Sequence, residues 1–127
     1  MSYKWQREYP TKDLFANVSG YYTYAYGATQ LEHLYSDVLA GDTPKQQVLA
    51  VGQTFSGEDQ TGSVVMTLRS DLQELAKRAL SGREGSAVVL DPRTGAVLAM
   101  YSNPTYDPNT VAVHDVEAAG AALTALD

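Results

Sequence analysis

The sequence predicts an α+β fold laid out in two unequal parts, on three observations. Two apolar runs, Ala87–Leu90 and Ala96–Met100, flank Asp91-Pro92-Arg93-Thr94-Gly95 and predict an antiparallel β-hairpin over about 86–101. Just before it, Leu72, Leu75, Ala76, Ala79 and Leu80 recur at helical spacing and predict a helix over about 71–80. Of nine tyrosines, seven (Tyr3, Tyr9, Tyr21, Tyr22, Tyr24, Tyr26, Tyr35) fall early, which marks a separate, strand-rich N-terminal part with one helix over about 30–39.

Taken in chain order, residues 3–26 read as extended. Tyr22, Tyr24 and Tyr26 alternate with Tyr21, Thr23 and Ala25, the period of a strand, and Pro10 and Gly20 punctuate the stretch. Thr29 followed by Glu32 forms a capping box, Leu31, Leu34, Tyr35, Val38 and Leu39 supply one apolar helix face, and Gly41 stops the helix. Residues 41–62, rich in Gly, Asp, Thr and Gln, read as a linker or loop broken by Val48–Val51 and anchored by Phe55. Val64–Leu68 reads as a short strand. Ser70 with Gln73 is a second capping box, and Gly82 ends the helix it opens. In the hairpin, Asp91 opens the turn through its side chain, Pro92 presets φ, and Gly95 accepts a left-handed bulge. Both arms are continuously apolar, so the hairpin is expected to be covered on both faces, which one helix cannot do. Pro104 and Pro108 forbid regular structure over Asn103–Asn109, and the Ala-rich tail Val116–Leu126 reads as a weaker helix.

Composition narrows the function. Among 127 residues, 9 Lys+Arg face 15 Asp+Glu for a net charge of −6, which excludes a nucleic-acid surface. With no cysteine, disulfides, thiol nucleophiles and Cys-ligated metals are excluded. No apolar run approaches the ~18 residues of a membrane span, and Met1-Ser2-Tyr3-Lys4-Trp5 lacks the apolar core of a signal peptide, so the chain is expected to be soluble as given. His33 has no second His at i+4 and reads as a surface or structural residue; His114, beside Asp115 and Glu117, offers one nitrogen ligand. Glu58-Asp59 and Asp37 with Asp42 read as solvated charges. Gly27-Ala28-Thr29 and Gly82–Gly85 lack a phosphate-loop pattern, and no cofactor is implied. The run Tyr21–Tyr26 fits strand packing, with stacking on sugar rings the sharper alternative.

Three stretches carry a family resemblance: Val64–Leu68 with Asp71-Leu72-Gln73, then Gly85–Met100, then Asn103-Pro104-Thr105-Tyr106-Asp107-Pro108-Asn109. Together they are similar to the opening of the transpeptidase domain of class B penicillin-binding proteins. Gly27, Leu31-Glu32-His33-Leu34-Tyr35 and Leu39-Ala40-Gly41 resemble an element of that family's pedestal, or dimerisation, domain, as do Arg7-Glu8-Tyr9-Pro10 and Gly20-Tyr21-Tyr22 in its actinobacterial branch. Gln30 stands where the family has Gly, and Ser36 where it has Asp or Asn. The resemblance implies that Leu31, Glu32, Tyr35, Gly41, Asp91, Pro92, Gly95, Asn103, Pro104, Tyr106, Asp107, Pro108 and Asn109 are structural motif residues. In that family the Glu at the position of Glu32 pairs with an Arg from a segment far upstream; that segment is expected to be absent here, which leaves Glu32 its capping role.

The same resemblance implies a division into a partial pedestal (1–61) and the truncated beginning of a transpeptidase domain (62–127). Family members attack D-Ala-D-Ala or a β-lactam with the serine of a Ser-x-x-Lys motif, completed by Ser-x-Asn and Lys-Thr-Gly. This sequence contains none of the three; Arg93-Thr94-Gly95 mimics the last but sits in the hairpin turn. The expectation is a non-catalytic scaffold, with no catalytic, cofactor or metal residues, from a parent that is membrane-anchored, extracytoplasmic and cross-links peptidoglycan. The implied partners are the remainder of the transpeptidase domain, a second copy by dimerisation or strand exchange, and cell-wall or divisome proteins. The alternative is a free-standing module that binds glycan or a divisome partner; a homologue that has lost its chemistry is a third reading.

Overall fold

The computed structural model describes residues 5–42 and 62–126. In the first part a 3₁₀ turn (Lys12–Leu14) leads into α1 (Ala16–Ser19), the strands β1 (Tyr22–Thr23) and β2 (Gly27–Ala28), and the helices α2 (Gln30–Leu34) and α3 (Ser36–Ala40). The second part runs α4 (Ser70–Ala79), β3 (Gly85–Leu90), β4 (Val97–Asn103), a 3₁₀ turn (Pro108–Thr110) and α5 (Val116–Thr124). Two two-stranded antiparallel sheets, β1–β2 and β3–β4, sit among the helices, so the α+β class holds.

The hairpin is the element the sequence specified best. Ala87 pairs with Tyr101 and Val89 with Ala99, but Leu90 pairs with Val97, so Leu98 is the bulged residue. The bulge thus falls in β4, and Gly95 has a different job. At φ 75° its N–H closes the turn on the Asp91 carbonyl at 2.8 Å, while the Asp91 carboxylate accepts the Arg93 N–H at 2.9 Å. Arg93-Thr94-Gly95 lies wholly within this turn.

The N-terminal part departs from its expected extended form. Ser19 and Gly20 donate to the Phe15 and Ala16 carbonyls, closing α1, and Gly20 ends it at φ 72°. A Cβ at Gly20 would lie 2.4 Å from the Thr29 carbonyl oxygen, so only glycine lets β2 approach here. The tyrosine run is a strand only over Tyr22–Thr23: Tyr24–Tyr26 form the turn that links β1 to β2, with the Thr23 hydroxyl accepting the Tyr26 N–H at 2.8 Å. The expected helix over 30–39 breaks at Tyr35 (φ −114°, ψ 23°), which rotates Leu34 and Tyr35 off the core face; Leu34 is 70% exposed. Gln30, in the family's glycine position, holds a φ of 51°, the left-handed region that glycine occupies without strain.

Neither capping box forms. No side chain caps α2 or α4, because Thr29 accepts the Tyr21 N–H and Glu32 and Gln73 are drawn into tertiary contacts. Val64–Leu68 is irregular rather than a strand, held beside β4 by Arg69 N–H on the Leu98 carbonyl (2.8 Å) and the Thr67 hydroxyl on the Val97 carbonyl (2.7 Å). Most of the expected linker, with Val48–Val51, Phe55 and Glu58-Asp59, lies outside the described residues.

On α4 the buried stripe is displaced by one position from the expected face. Gln73 and Ala76 are buried, and Leu75 and Ala79 are exposed. Gln73, 1% exposed, inserts its amide against the outer edge of β4. Its Oε1 accepts the Met100 N–H at 2.9 Å, and its Nε2 donates to the Met100 carbonyl at 2.7 Å and to the Leu14 carbonyl at 2.9 Å. The Asn17 amide caps the Ser102 carbonyl two residues along at 2.9 Å. Burial follows this edge: Ala99 and Tyr101 on β4 are buried, while Val88, Val89 and Leu90 on β3 are 52%, 37% and 57% exposed. The expectation of cover on both faces fails for β3, because α4 reaches β4 and little beyond.

At the far end Asp115 caps α5 through the Glu117 and Ala118 N–H groups. Helix α5 rests on the β1–β2 turn, where a Cβ at Gly120 would meet the Tyr26 hydroxyl at 2.6 Å.

Replacing Gln73 by Leu strands one N–H and two carbonyls that water reaches poorly. Gln73→Leu is expected to lower stability by roughly 2–5 kcal/mol, and Asn17→Ala, which frees a single carbonyl, by about 1 kcal/mol. Urea unfolding of the two variants in parallel checks the order; equal losses would refute the clamp.

Candidate functional site

Most of the motif residues converge on a polar seam where the first part meets the segment after β4. Asn109 reaches back a hundred positions and grips the backbone of Tyr9 from both sides. Its Oδ1 accepts the Tyr9 N–H and its Nδ2 donates to the Tyr9 carbonyl, both at 2.9 Å. Asp107 holds Asn109 in this pose, its Oδ1 accepting from Asn109 N–H at 3.0 Å and Nδ2 at 2.8 Å. The prolines matter here because the segment cannot retreat into a regular α-helix or strand, and Pro108 is buried as the first residue of the 3₁₀ turn.

From Tyr9 the network passes into the first part. The buried Tyr9 hydroxyl donates to Glu32 Oε1 at 3.0 Å and accepts the Tyr22 N–H at 2.8 Å. Glu32 Oε2 pairs with the Arg7 guanidinium at 3.0 Å. The expectation that Glu32 lacks its arginine here is thereby corrected: Arg7, 25 residues before it in this chain, supplies the guanidinium. Burial, the Glu32 charge and the bond to Glu32 together push the Tyr9 phenol well above its ordinary range.

Further along the seam, Thr105 donates to the Asp13 carbonyl at 3.0 Å and Tyr106 to the Ala16 carbonyl at 3.4 Å. The Tyr106 ring meets Tyr21 edge-on with centroids 6.3 Å apart, and burial raises the Tyr106 phenol. Lys77 on α4 binds the Asp13 carboxylate at 2.5 Å, and that bond holds the ammonium above its usual range. Asn103 closes the hairpin onto α4 by donating to the Arg83 carbonyl at 2.7 Å, ahead of the cis Asn103–Pro104 bond.

The remaining motif residues lie elsewhere. Asp91, Pro92 and Gly95 form the hairpin turn, Gly41 is the left-handed stop of α3, Leu31 is half-buried, and Tyr35 is exposed at the break between α2 and α3. His33 is exposed, and the His114 ring contacts the Trp5 carbonyl at 3.0 Å. Among the described residues no three His, Cys, Asp or Glu side chains gather as a metal group, and no described helix is long and apolar enough to cross a membrane. Sequence reasoning missed Gln73, Asn17 and Tyr9 as seam residues. For Gln73 a signal existed, since it shares a helical face with Ala76 and Leu80, and a polar residue there needs buried partners. The seam joins two parts in a fixed pose; it offers no paired acid and base.

Two family models match the chain. The family "Penicillin binding protein A dimerisation domain" matches residues 1–65, and "Penicillin binding protein transpeptidase domain" matches residues 85–123. The peptidoglycan D,D-transpeptidase PbpA of Mycolicibacterium smegmatis is 35% identical across 91% of this chain, and MrdA of Escherichia coli K12 is 37% identical across 68%. This chain spans 25% of the first and 15% of the second. The structure of penicillin-binding protein A from M. tuberculosis in its penicillin G acyl-enzyme complex superposes with a TM-score of 0.89 at 32% identity, over 95% of this chain and 29% of that one.

The Tyr9 phenol yields a pH prediction. The folded state holds its proton more tightly than the unfolded chain, whose tyrosine titrates near 10.0. The resulting stability is complete below that pH and is lost as pH climbs toward the raised folded value. Urea midpoints from neutral pH to about pH 11 should fall more steeply for the native chain than for Tyr9→Phe, although Tyr9→Phe is the less stable at neutrality. Parallel curves would remove Tyr9 from the network.

Proposed function

The chain belongs to the class B penicillin-binding proteins, and from that premise we propose that it is a non-catalytic scaffold of such an enzyme. Residues 1–61 supply the end of the pedestal and residues 62–127 the opening of the transpeptidase domain. The observation that carries this reading is the asymmetry of the β3–β4 hairpin. The β4 edge is occupied by Arg69, Gln73 and Asn17, whereas β3 keeps Val88, Val89 and Leu90 exposed. An exposed apolar strand is a template for further pairing. We assign that place to the rest of the transpeptidase domain, in keeping with relatives at least four times the length of the matched region. The parent enzyme is then a membrane-anchored, extracytoplasmic D,D-transpeptidase that acylates its own serine outside these residues.

Two experiments test the reading. In isolation the chain should self-associate through β3, so light scattering should show mass rising with concentration, and Val89→Lys should restore the monomer. A native chain that stays monomeric at high concentration argues against the open edge. Incubated with a fluorescent penicillin, the chain should form no stable covalent adduct, because Ser-x-x-Lys is absent; a labelled band after denaturation would contradict the non-catalytic assignment.

A further inference from the structure

Trp5, Tyr22 and Tyr24 line one cleft of about 390 Å³ and are 71%, 42% and 63% exposed. That volume suits one or two small rings. Ala112, Val113 and His114 line the same cleft from the second part of the chain, and Gln6 and Arg7 add polar side chains to its lining. Three contacts fix the lining. Arg7 is fixed by its 3.0 Å ion pair with Glu32 and lies 5.9 Å from the Tyr22 ring centre, while the His114 ring bonds the Trp5 carbonyl at 3.0 Å. The Asn109 grip on Tyr9, whose hydroxyl receives the Tyr22 N–H, then joins the Tyr22 wall to the wall that follows the 3₁₀ turn. The cleft is thus assembled by both parts of the chain.

We propose that this cleft is a saccharide-binding subsite that takes a neutral, N-acetylated sugar chain. A pyranose ring presents an apolar C–H face that lies against an aromatic ring and a rim of hydroxyl and amide groups that bond to polar side chains. The cleft offers both surfaces together. Charge favours a neutral ligand: the Arg7 guanidinium is already offset by Glu32, and the chain carries a net charge of −6, which disfavours polyanions. The choice of an N-acetylated sugar rests on the cell-wall reading above. Proline-rich peptides also dock on aromatic grooves and are the competing occupant.

The chain has a single tryptophan, so its emission reports from this cleft alone. Titration with N-acetylglucosamine tetramer should give a saturable shift in emission with a midpoint below about 1 mM. Tyr24→Ala should weaken the midpoint at least ~10-fold, Tyr24→Phe should retain it, and Leu75→Ala on α4 should leave it unchanged. Gln6→Ala, an exposed position, provides a second weakened variant, and circular dichroism confirms that each variant is folded. The proposal is overturned by a flat titration, by Tyr24→Ala binding as well as the native chain, or by a saturable response to a proline-rich peptide with none to the sugar. These readouts do not depend on self-association or on penicillin labelling, so either reading can fail without the other.

Discussion

A strand edge cannot be buried with its backbone groups unpaired, and the structure depends on how this chain meets that constraint on β4. Among the described residues no third strand pairs with the edge. A backbone N–H from Arg69, a carboxamide from Gln73 and a second carboxamide from Asn17 occupy it in turn, at Leu98, Met100 and Ser102. A strand partner would have come from one segment of chain. These three come from the approach to α4, from α4 itself and from α1, so completing the edge draws all three together. Gln73 also holds the Leu14 carbonyl, and one side chain thereby ties the helix, the hairpin and the N-terminal part. Each of its bonds contributes modestly in net terms, about 1 kcal/mol, yet losing all of them at a buried site costs several times that.

The second seam, from Asn109 through Tyr9 to Glu32 and Arg7, has the same character. Among the described residues the buried apolar set is small in volume, dominated by alanines with Tyr9, Tyr101 and Val111. Such a core supplies little dispersion energy and little shape to fix an orientation. Directional bonds supply the orientation instead. Asn109 is matched to one peptide group, and Glu32 accepts a phenol on one oxygen and a guanidinium on the other. Sliding one part past the other by a single residue would break the Asn109 grip, while the Glu32 set fixes Tyr9 within the first part so that the grip has one register.

The hairpin was legible in the sequence because its signal is local. Asp91, Pro92 and Gly95 specify the turn by their own backbone preferences, whatever surrounds them. The capping boxes misled for the opposite reason. Glu and Gln at the third helical position serve a cap and a distant partner equally well, and tertiary partners took Glu32 and Gln73 here. The tyrosine run carried a strand's alternation, but Gly27 at φ 84° and the Thr23 hydroxyl fold it into a turn after two paired residues. Gln30 was visible as a departure from the family pattern, and its φ of 51° gives that departure a physical meaning. The parts of the seam that lie about a hundred residues apart had no local signal at all.

Polar closure inside the chain and apolar exposure on β3 are two sides of one arrangement. Hydrogen bonds fix geometry with a small net gain, so they suit contacts within a chain, where covalent linkage has already met much of the entropic cost of association. Val88, Val89 and Leu90 keep about half their surface in water, and covering the remainder would return roughly 1 kcal/mol each. That energy is non-directional and suits a layer that docks onto an edge already held in position. A hairpin held instead by apolar packing on both faces would fold more readily alone, but it would present nothing for a further layer to bury. The oriented polar seam and the open apolar strand are therefore what the proposed role requires, that of a segment presenting a strand to the remainder of a larger sheet.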